Sequence, residues 1–230
     1  MKYMGSKNRI AKHILPIILS DRKPNQYVVD PFCGGGNFID KVEGNRMASD
    51  AFYPVVQAMN LIKNDLEKIP KNNTEFTEND YYFIKTQPEH ELFGYVGFAL
   101  SYGAMFFSSF RRDKHGLRDY VAESYRASVK QSKIIQSLDV KHQDYLNVNI
   151  PLESIIYCDP PYKNTAKYKI DFNHEVFYNW CRKMKREGHS IFVSEYQMPD
   201  DFTCVWEKEI VSSLSIDTGS KKGVEKLFTL

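Results

Sequence analysis

Asp159-Pro160-Pro161-Tyr162 stands directly after the apolar run Ile155-Ile156-Tyr157-Cys158. An acid in that position lies at the carboxyl end of a strand, where an open α/β sheet takes its ligands. The chemistry it suits is specific. The exocyclic amine of a nucleobase is a poor nucleophile because its lone pair is delocalised into the ring, so it needs acceptors that hold its N–H groups and favour a more tetrahedral nitrogen. The Asp159 carboxylate and a neighbouring backbone carbonyl, left exposed because prolines cannot continue a ladder, supply two acceptors. Tyr162 supplies a face on which a base swung out of its stack can lie. Without the flanking strand and the aromatic, the same residues would read as a Pro-Pro turn with a surface acid.

Two further groups of residues suggest a second ligand. Asp30-Pro31-Phe32-Cys33-Gly34-Gly35-Gly36 is a glycine turn in which backbone can approach a ligand closely, and a helix opening at Phe38 would offer it free N–H groups. Asp50 follows twenty residues after Asp30, at the end of the next expected strand, where an acid can accept both hydroxyls of a ribose. A GxGxxG pattern is missing, which makes nicotinamide or flavin cofactors the poorer match. Near the N-terminus, Tyr3-Met4-Gly5-Ser6-Lys7 brings a lysine and a glycine turn ahead of a helix, able to meet the carboxylate of an amino-acid-like ligand.

The elements that must position these groups are legible from periodicity. Ser6 is expected to cap a helix carrying Ile10, Ile14 and Ile17 on one face, kinked or shortened by Pro16. Strands are expected at Tyr27 to Asp30, Arg46 to Ser49, near Val140, Ser154 to Cys158, Ser190 to Ser194, Thr203 to Val211 and Val224 to Thr229. Helices are expected from Phe38, from Pro54 through Ile62, at Tyr120 to Ser137 and at Glu175 to Arg186. This alternation predicts an α/β fold whose sheet is largely parallel with an antiparallel end. From about Glu67 the texture changes to loop and then to a stretch rich in aromatics, glycines and arginines. It predicts an insertion at 67–135 within a catalytic domain formed by 1–66 and 136–230.

Composition narrows the class. With 230 residues and a formal net charge of +2, the chain holds one α/β body with a modest attachment, and a nucleic-acid surface must be a local basic patch. No leader-like segment and no apolar run of roughly 20 residues is present, from which a cytoplasmic protein without membrane association is expected. The four cysteines, Cys33, Cys158, Cys181 and Cys204, form no CxxC pair, and His13, His90, His142, His174 and His189 are scattered, so no metal is expected. Cys158 reads as core packing. The chain has no Pro-Cys pair of the kind that cytosine-C5 methylation needs for its thiolate nucleophile.

Taken in order, the lysine-containing N-terminal motif, the Asp30-Pro31-Phe32-x-Gly34-x-Gly36 loop and the late Asp159-Pro160-Pro161-Tyr162 resemble the Dam-type, D12 class N6-adenine DNA methyltransferases of viruses and bacteria. Softer matches are Asp50, Asp144-Tyr145, Thr165, Tyr168, the run Phe192-Val193-Ser194-Glu195-Tyr196 and the run Val224-Glu225-Lys226-Leu227-Phe228. The resemblance implies a Rossmann-like S-adenosylmethionine-dependent methyltransferase fold with a small inserted target-recognition region. It places Tyr3, Lys7, Asp30, Phe32, Gly34, Gly36, Asp50, Asp144 and Asp159 around S-adenosylmethionine. Asp159, Pro160, Pro161 and Tyr162 would hold a flipped-out adenine for direct in-line transfer, without a covalent intermediate.

The expected partner is double-stranded DNA, with the protein acting as a monomer; restriction-modification is one setting for such an activity. Arg111, Arg112, Lys114 and Arg118, set around His115-Gly116 in an expected loop, are the candidate DNA contacts. The surrounding aromatics are expected to form the insertion's own small core. The Thr218 to Gly223 loop, with Lys221 and Lys222, suits either a phosphate contact or a solvated turn. The Arg-Tyr-Asn and Phe-Asn-x-Pro pattern of GATC-specific Dam enzymes is missing, so that specificity does not carry over. RNA adenine or DNA N4-cytosine methylation, and a catalytically silent nucleic-acid-binding protein, stay open as alternatives.

Overall fold

The computed structural model describes residues 1–113, 115–163, 172–211 and 222–230. Seven strands form one sheet: β1 (Val28–Asp30), β2 (Arg46–Asp50), β3 (Asp139–His142), β4 (Ile155–Cys158), β5 (Ser190–Glu195), β6 (Thr203–Val211) and β7 (Lys222–Thr229). Their order across the sheet is β3-β2-β1-β4-β5-β7-β6. The two central strands, Val-Val-Asp and Ile-Ile-Tyr-Cys, are buried at every position, as strands covered on both faces must be. The first five strands pair in parallel, and β7 runs antiparallel to both β5 and β6. The expected mostly parallel sheet with an antiparallel end is therefore present.

Because β1 passes on to β2 and β3 on one side while β4 and β5 lie on the other, the direction of winding reverses between β1 and β4. At such a switch point the loops leaving the two strands part and open a crevice at their carboxyl ends. Val28 pairs with both Arg46 and Ile155, so β1, β2 and β4 finish at nearly one level.

Helices cover both faces. Ahead of α1 (Ala11–Ile18), Ser6 caps only a short 3-10 turn at Lys7–Arg9, and α1 runs through Pro16. Its inward side carries Ile14 and Ile18, with Ile10 before it, while Ile17 is only half-buried. Pro54 opens α2 (Tyr53–Asn64), Asp119 caps α5 (Tyr120–Ile135) by accepting from Ala122 N, and Asn173 caps α6 (His174–Arg186) through Glu175 N and Val176 N.

The helix expected from Phe38 does not form. A single 3-10 turn, Ile39–Lys41, takes its place. The Arg46 guanidinium donates to the carbonyls of Ile39 (3.0 Å) and Val42 (2.5 Å), absorbing acceptors that a longer helix would have used internally.

The stretch from 67 onward contains α3 (Glu78–Lys85) and α4 (Phe93–Ala99) before α5. Its aromatics do not form a separate core. Tyr81, Tyr95, Phe98 and Phe107 share one apolar cluster with Val28, Ala48, Val55 and Met59 of the sheet and its helices. The contact is direct because α4 lies against the first turn of α2 at Gly94: a Cβ there would sit 2.0 Å from the Pro54 carbonyl oxygen. Gly94→Ala must force the two helices apart and should cost roughly 1–3 kcal/mol. A urea denaturation series should show a lower midpoint at an unchanged slope; a midpoint equal to wild type would show that the approach of α4 to α2 is not tight.

Candidate active site

Four neighbouring parallel strands each end in, or run into, a carboxylate: Asp50 closes β2, Asp30 closes β1, Asp159 follows β4 and Glu195 closes β5. Asp30 and Glu195 are 2% and 1% exposed, and each feels the charge of Asp159 at the end of the strand between them. Burial is the dominant effect on each acid. It pushes Asp30 well above the ordinary carboxylate range, with Asp159 adding to the shift. Asp50 and Asp159 are raised to about 6 and Glu195 to about 7, again chiefly by desolvation.

The glycine turn is built around Asp50. Gly34 N–H donates to one carboxylate oxygen at 3.0 Å and Phe52 N–H to the other at 2.9 Å. Gly34 takes a left-handed φ of +48°, and a Cβ added there would lie 2.6 Å from the Tyr3 ring, so only glycine lets Tyr3 lie on the turn. Phe32 N–H donates to Asp30 at 3.2 Å, and the Phe32 ring packs on Tyr145 (5.1 Å) and Phe177 (5.6 Å). Gly36 faces the helix layer, where Met59 fills the space a side chain would need. Asp144 caps the next turn by accepting from Leu146 N–H at 2.9 Å, and Gln143 N–H ties that segment to the Asp50 carbonyl at 3.1 Å. Tyr3, Phe32, Gly34 and Asp50 thus gather along one edge, with Asp144 beside them.

Asp159 is reached by the N-terminal motif. Lys7, itself 7% exposed, sets its ammonium 2.9 Å from Asp159 Oδ1, 3.7 Å from Glu225 Oε2 and 4.6 Å from the centre of the Tyr162 ring. The Tyr162 hydroxyl donates to Glu225 at 2.8 Å, and its ring meets Tyr196 edge-on at 4.7 Å. The Pro161 carbonyl accepts from His174 at 3.0 Å, and Glu195 accepts the Lys163 N–H at 3.1 Å, so the turn after β4 is held from α6 and β5.

Glu195, Glu225 and His174 were not singled out as site residues from the sequence. Glu195 had a signal, since it ends an apolar strand as Asp30 does. Glu225 stood only within the Val224 to Phe228 run of the family resemblance, and its own position gave no signal, because an acid on an alternating antiparallel strand reads as solvent-facing.

Of the arginine cluster, Arg111 and Arg118 both lie over the ring of Tyr120, at 3.9 and 4.7 Å from its centre. Arg118 also forks onto Glu123 (2.8 and 2.9 Å), and Arg112 pairs with Glu78 at 3.0 Å. Lys114, Thr165, Tyr168 and Lys221 lie outside the described residues, as does all of the 218–223 loop before Lys222. A cleft of about 1490 Å³ runs from Arg111 and Arg112 past Lys2, Arg9 and Lys130 to Lys7 and Glu225. It reaches the site from the Lys7 and Glu225 side; Phe32, Gly34, Asp50, Asp159 and Tyr162 are not among its described walls.

A model of the D12 class N6 adenine-specific DNA methyltransferases matches residues 3–200, most of the chain. The chain belongs to this family. The D12 match spans the glycine turn, Asp50, the arginine cluster and Asp159-Tyr162, and stops short of β6 and β7. Among solved structures, the chain is similar to SMU.472 complexed with SAH, at 13% identity and a TM-score of 0.40, covering 98% of this chain and 52% of that one. This D12 chain therefore spans about half the length of that relative. No curated protein matches it. Among the described residues, no helix is long and apolar enough to cross a membrane, and no group of three or more His, Cys, Asp or Glu side chains could hold a metal ion.

The buried acids set a pH dependence with a definite sign. A carboxyl whose folded pKa is raised binds its proton more tightly when folded, so stability rises as pH falls through the folded value towards the unfolded one. For Asp50, Asp159 and Glu195 that window runs from about 7 to about 4. Glu123 and Asp201, held below the ordinary range chiefly by Arg118 and Arg182, act only below it, losing stability under further acidification. The buried Met1 ammonium, lowered to about 5 by desolvation, works the opposite way, costing stability as pH falls from 8 towards 5, so the acids' share is read from the difference between a variant and wild type. In the ligand-free protein, Glu195→Gln should reduce the stability gained between pH 8 and pH 6 by roughly 1 kcal/mol. An unchanged gain in the variant would show that Glu195 is not desolvated as described.

Proposed function

We propose that this chain transfers a methyl group from S-adenosylmethionine to the exocyclic N6 of an adenine swung out of duplex DNA. The observation that carries the reading is Asp159: a desolvated carboxylate at the switch-point end of β4, already paired at 2.9 Å with an N–H donor, the Lys7 ammonium. An acid so placed is an acceptor for another nitrogen donor.

The residues present fit the methyl donor. Each Asp50 oxygen accepts one backbone N–H and keeps lone-pair capacity for a ribose hydroxyl. Tyr3 and Phe32 offer apolar walls on either side of the glycine turn, and Asp144 stands at the end of the neighbouring strand. When bound, S-adenosylmethionine supplies an electrophilic methyl on a sulfonium, which needs no activation by the protein.

The chain's own work falls on the amine. Asp159 accepts one N6–H, and the Pro160 carbonyl is the second acceptor. Drawing both N–H groups out of the ring plane localises the nitrogen lone pair. Tyr162, fixed through its hydroxyl by Glu225, presents its ring for stacking. Positioning and desolvation provide the acceleration, without a covalent enzyme intermediate. After transfer the amine must shed a proton, and Asp159, raised to about 6, is an acceptor in place for it.

Residues 67–135 form the target-recognition region in this reading, with Arg111, Arg112, Lys114 and Arg118 its DNA contacts. The cleft leading from Arg111 ends at Lys7, which stands 2.9 Å in front of Asp159, and in this reading it is the side from which a duplex presents its base. Phosphate anions would compete with Glu123 and Glu78 for guanidinium groups already held in place.

Methyl-transfer assays on two variants test the division of labour. Asp159→Ala should lower turnover by about 10- to 100-fold, the loss of a charge-assisted hydrogen bond, while binding the donor nearly as wild type does. Asp50→Ala should raise the donor dissociation constant roughly 10- to 100-fold by calorimetry and leave turnover at saturation closer to normal. Near-normal turnover in the first variant, or unchanged donor affinity in the second, would overturn the assignment of that residue.

A further inference from the structure

The base subsite just described is already filled by a side chain. The Lys7 ammonium sits on the acceptor expected for the exocyclic amine, 2.9 Å from Asp159 Oδ1, and over the ring face expected for the base, 4.6 Å from the centre of Tyr162. Both contacts suit a cation: one is a charge-assisted pair, the other an attraction to the ring quadrupole. A second carboxylate waits beside it. Glu225 Oε2 lies 3.7 Å away and is fixed by the Tyr162 hydroxyl at 2.8 Å. A shift of the ammonium by about an ångström would move it from one acid to the other without leaving it unpaired, which would otherwise be costly for a charge this buried.

We propose that Lys7 is a displaceable plug of the target-base subsite, positioned between Asp159, which it guards while the subsite is empty, and Glu225, which receives it when a base enters. The inference rests on the reading of Asp159 and Tyr162 as the base-binding pair. It assigns Lys7 and Glu225 a positioning role towards the base, separate from any contact Lys7 makes with the methyl donor. Two consequences follow. The plug keeps a lone desolvated acid compensated in the absence of substrate. It also sets a threshold, because only a base that satisfies both Asp159 and the Tyr162 face repays the displacement of the cation.

A plugged subsite binds as if only its unplugged fraction were competent, so removing the plug should raise apparent affinity by the inverse of that fraction. The test uses the full chain and a duplex that carries 2-aminopurine in place of the target adenine, at the site found by mapping methylated positions. Fluorescence of the extruded base is read with and without S-adenosylmethionine. Lys7→Met, which keeps the apolar stem, should extrude the base without the donor at a roughly 10-fold or more lower protein concentration than wild type. Lys7→Arg should restore the plug. Glu225→Gln still accepts from Tyr162 but no longer receives a cation, and it should shift the titration the opposite way, towards weaker extrusion.

Opposite signs in these two variants are not expected of residues that merely support the fold. Donor-free extrusion by Lys7→Met no stronger than wild type, or extrusion by Glu225→Gln no weaker, would overturn the plug while leaving the base-binding reading intact. If wild type bound the duplex but never extruded the base, even with the donor, the base-binding reading would fail and the plug with it.

Discussion

Desolvation of acids at one edge of a parallel sheet is the constraint from which the rest of this structure follows. Parallel strands place their carboxyl ends side by side, and here Asp50, Asp30, Asp159 and Glu195 occupy those ends on β2, β1, β4 and β5. Burial raises every one of them, yet each has an answer in the fold. Asp50 and Glu195 accept backbone N–H groups, Asp30 accepts from the turn that follows it, and Asp159 receives Lys7. An edge so arranged is poorly solvated by water and well prepared for a ligand rich in N–H and O–H donors.

Other features serve that edge. The glycines at 34 and 94 act at different places but for one reason, close approach. At the first, Tyr3 is brought down onto the turn; at the second, α4 is brought down onto α2. The N-terminal segment crosses the glycine turn, with Asn37 donating to the Met1 carbonyl at 3.0 Å, and in doing so delivers Lys7 to the far side of the switch point. The antiparallel β7 then returns Glu225 to the same spot. Residues from the two ends of the chain thus meet at a turn in its middle.

Much of this was legible in the sequence because the motifs are local. A strand-end acid followed by prolines, or by a glycine turn, announces itself within seven residues, and β1, β2, β4 and β5 fell within a residue or two of their expected positions. What was missed depends on contacts between segments distant in sequence. The helix expected from Phe38 collapsed to one turn because Arg46 takes its carbonyls, and no periodicity within 38–42 could show that. Tyr95, Phe98 and Phe107 joined the main core because Gly94 lets α4 reach α2. Glu225 and His174 became part of the site through partners 63 and 13 residues away.

The central claim is that the Asp159 edge holds an adenine amine for methylation. Liquid chromatography with mass spectrometry of the nucleosides from duplex DNA incubated with the protein and S-adenosylmethionine addresses it most directly. The account predicts N6-methyladenine as the product, formed in DNA and at a lower rate with Asp159→Ala. Methylation confined to N4 of cytosine or to RNA, or no methylated nucleoside at all from an enzyme that binds the donor, would contradict it.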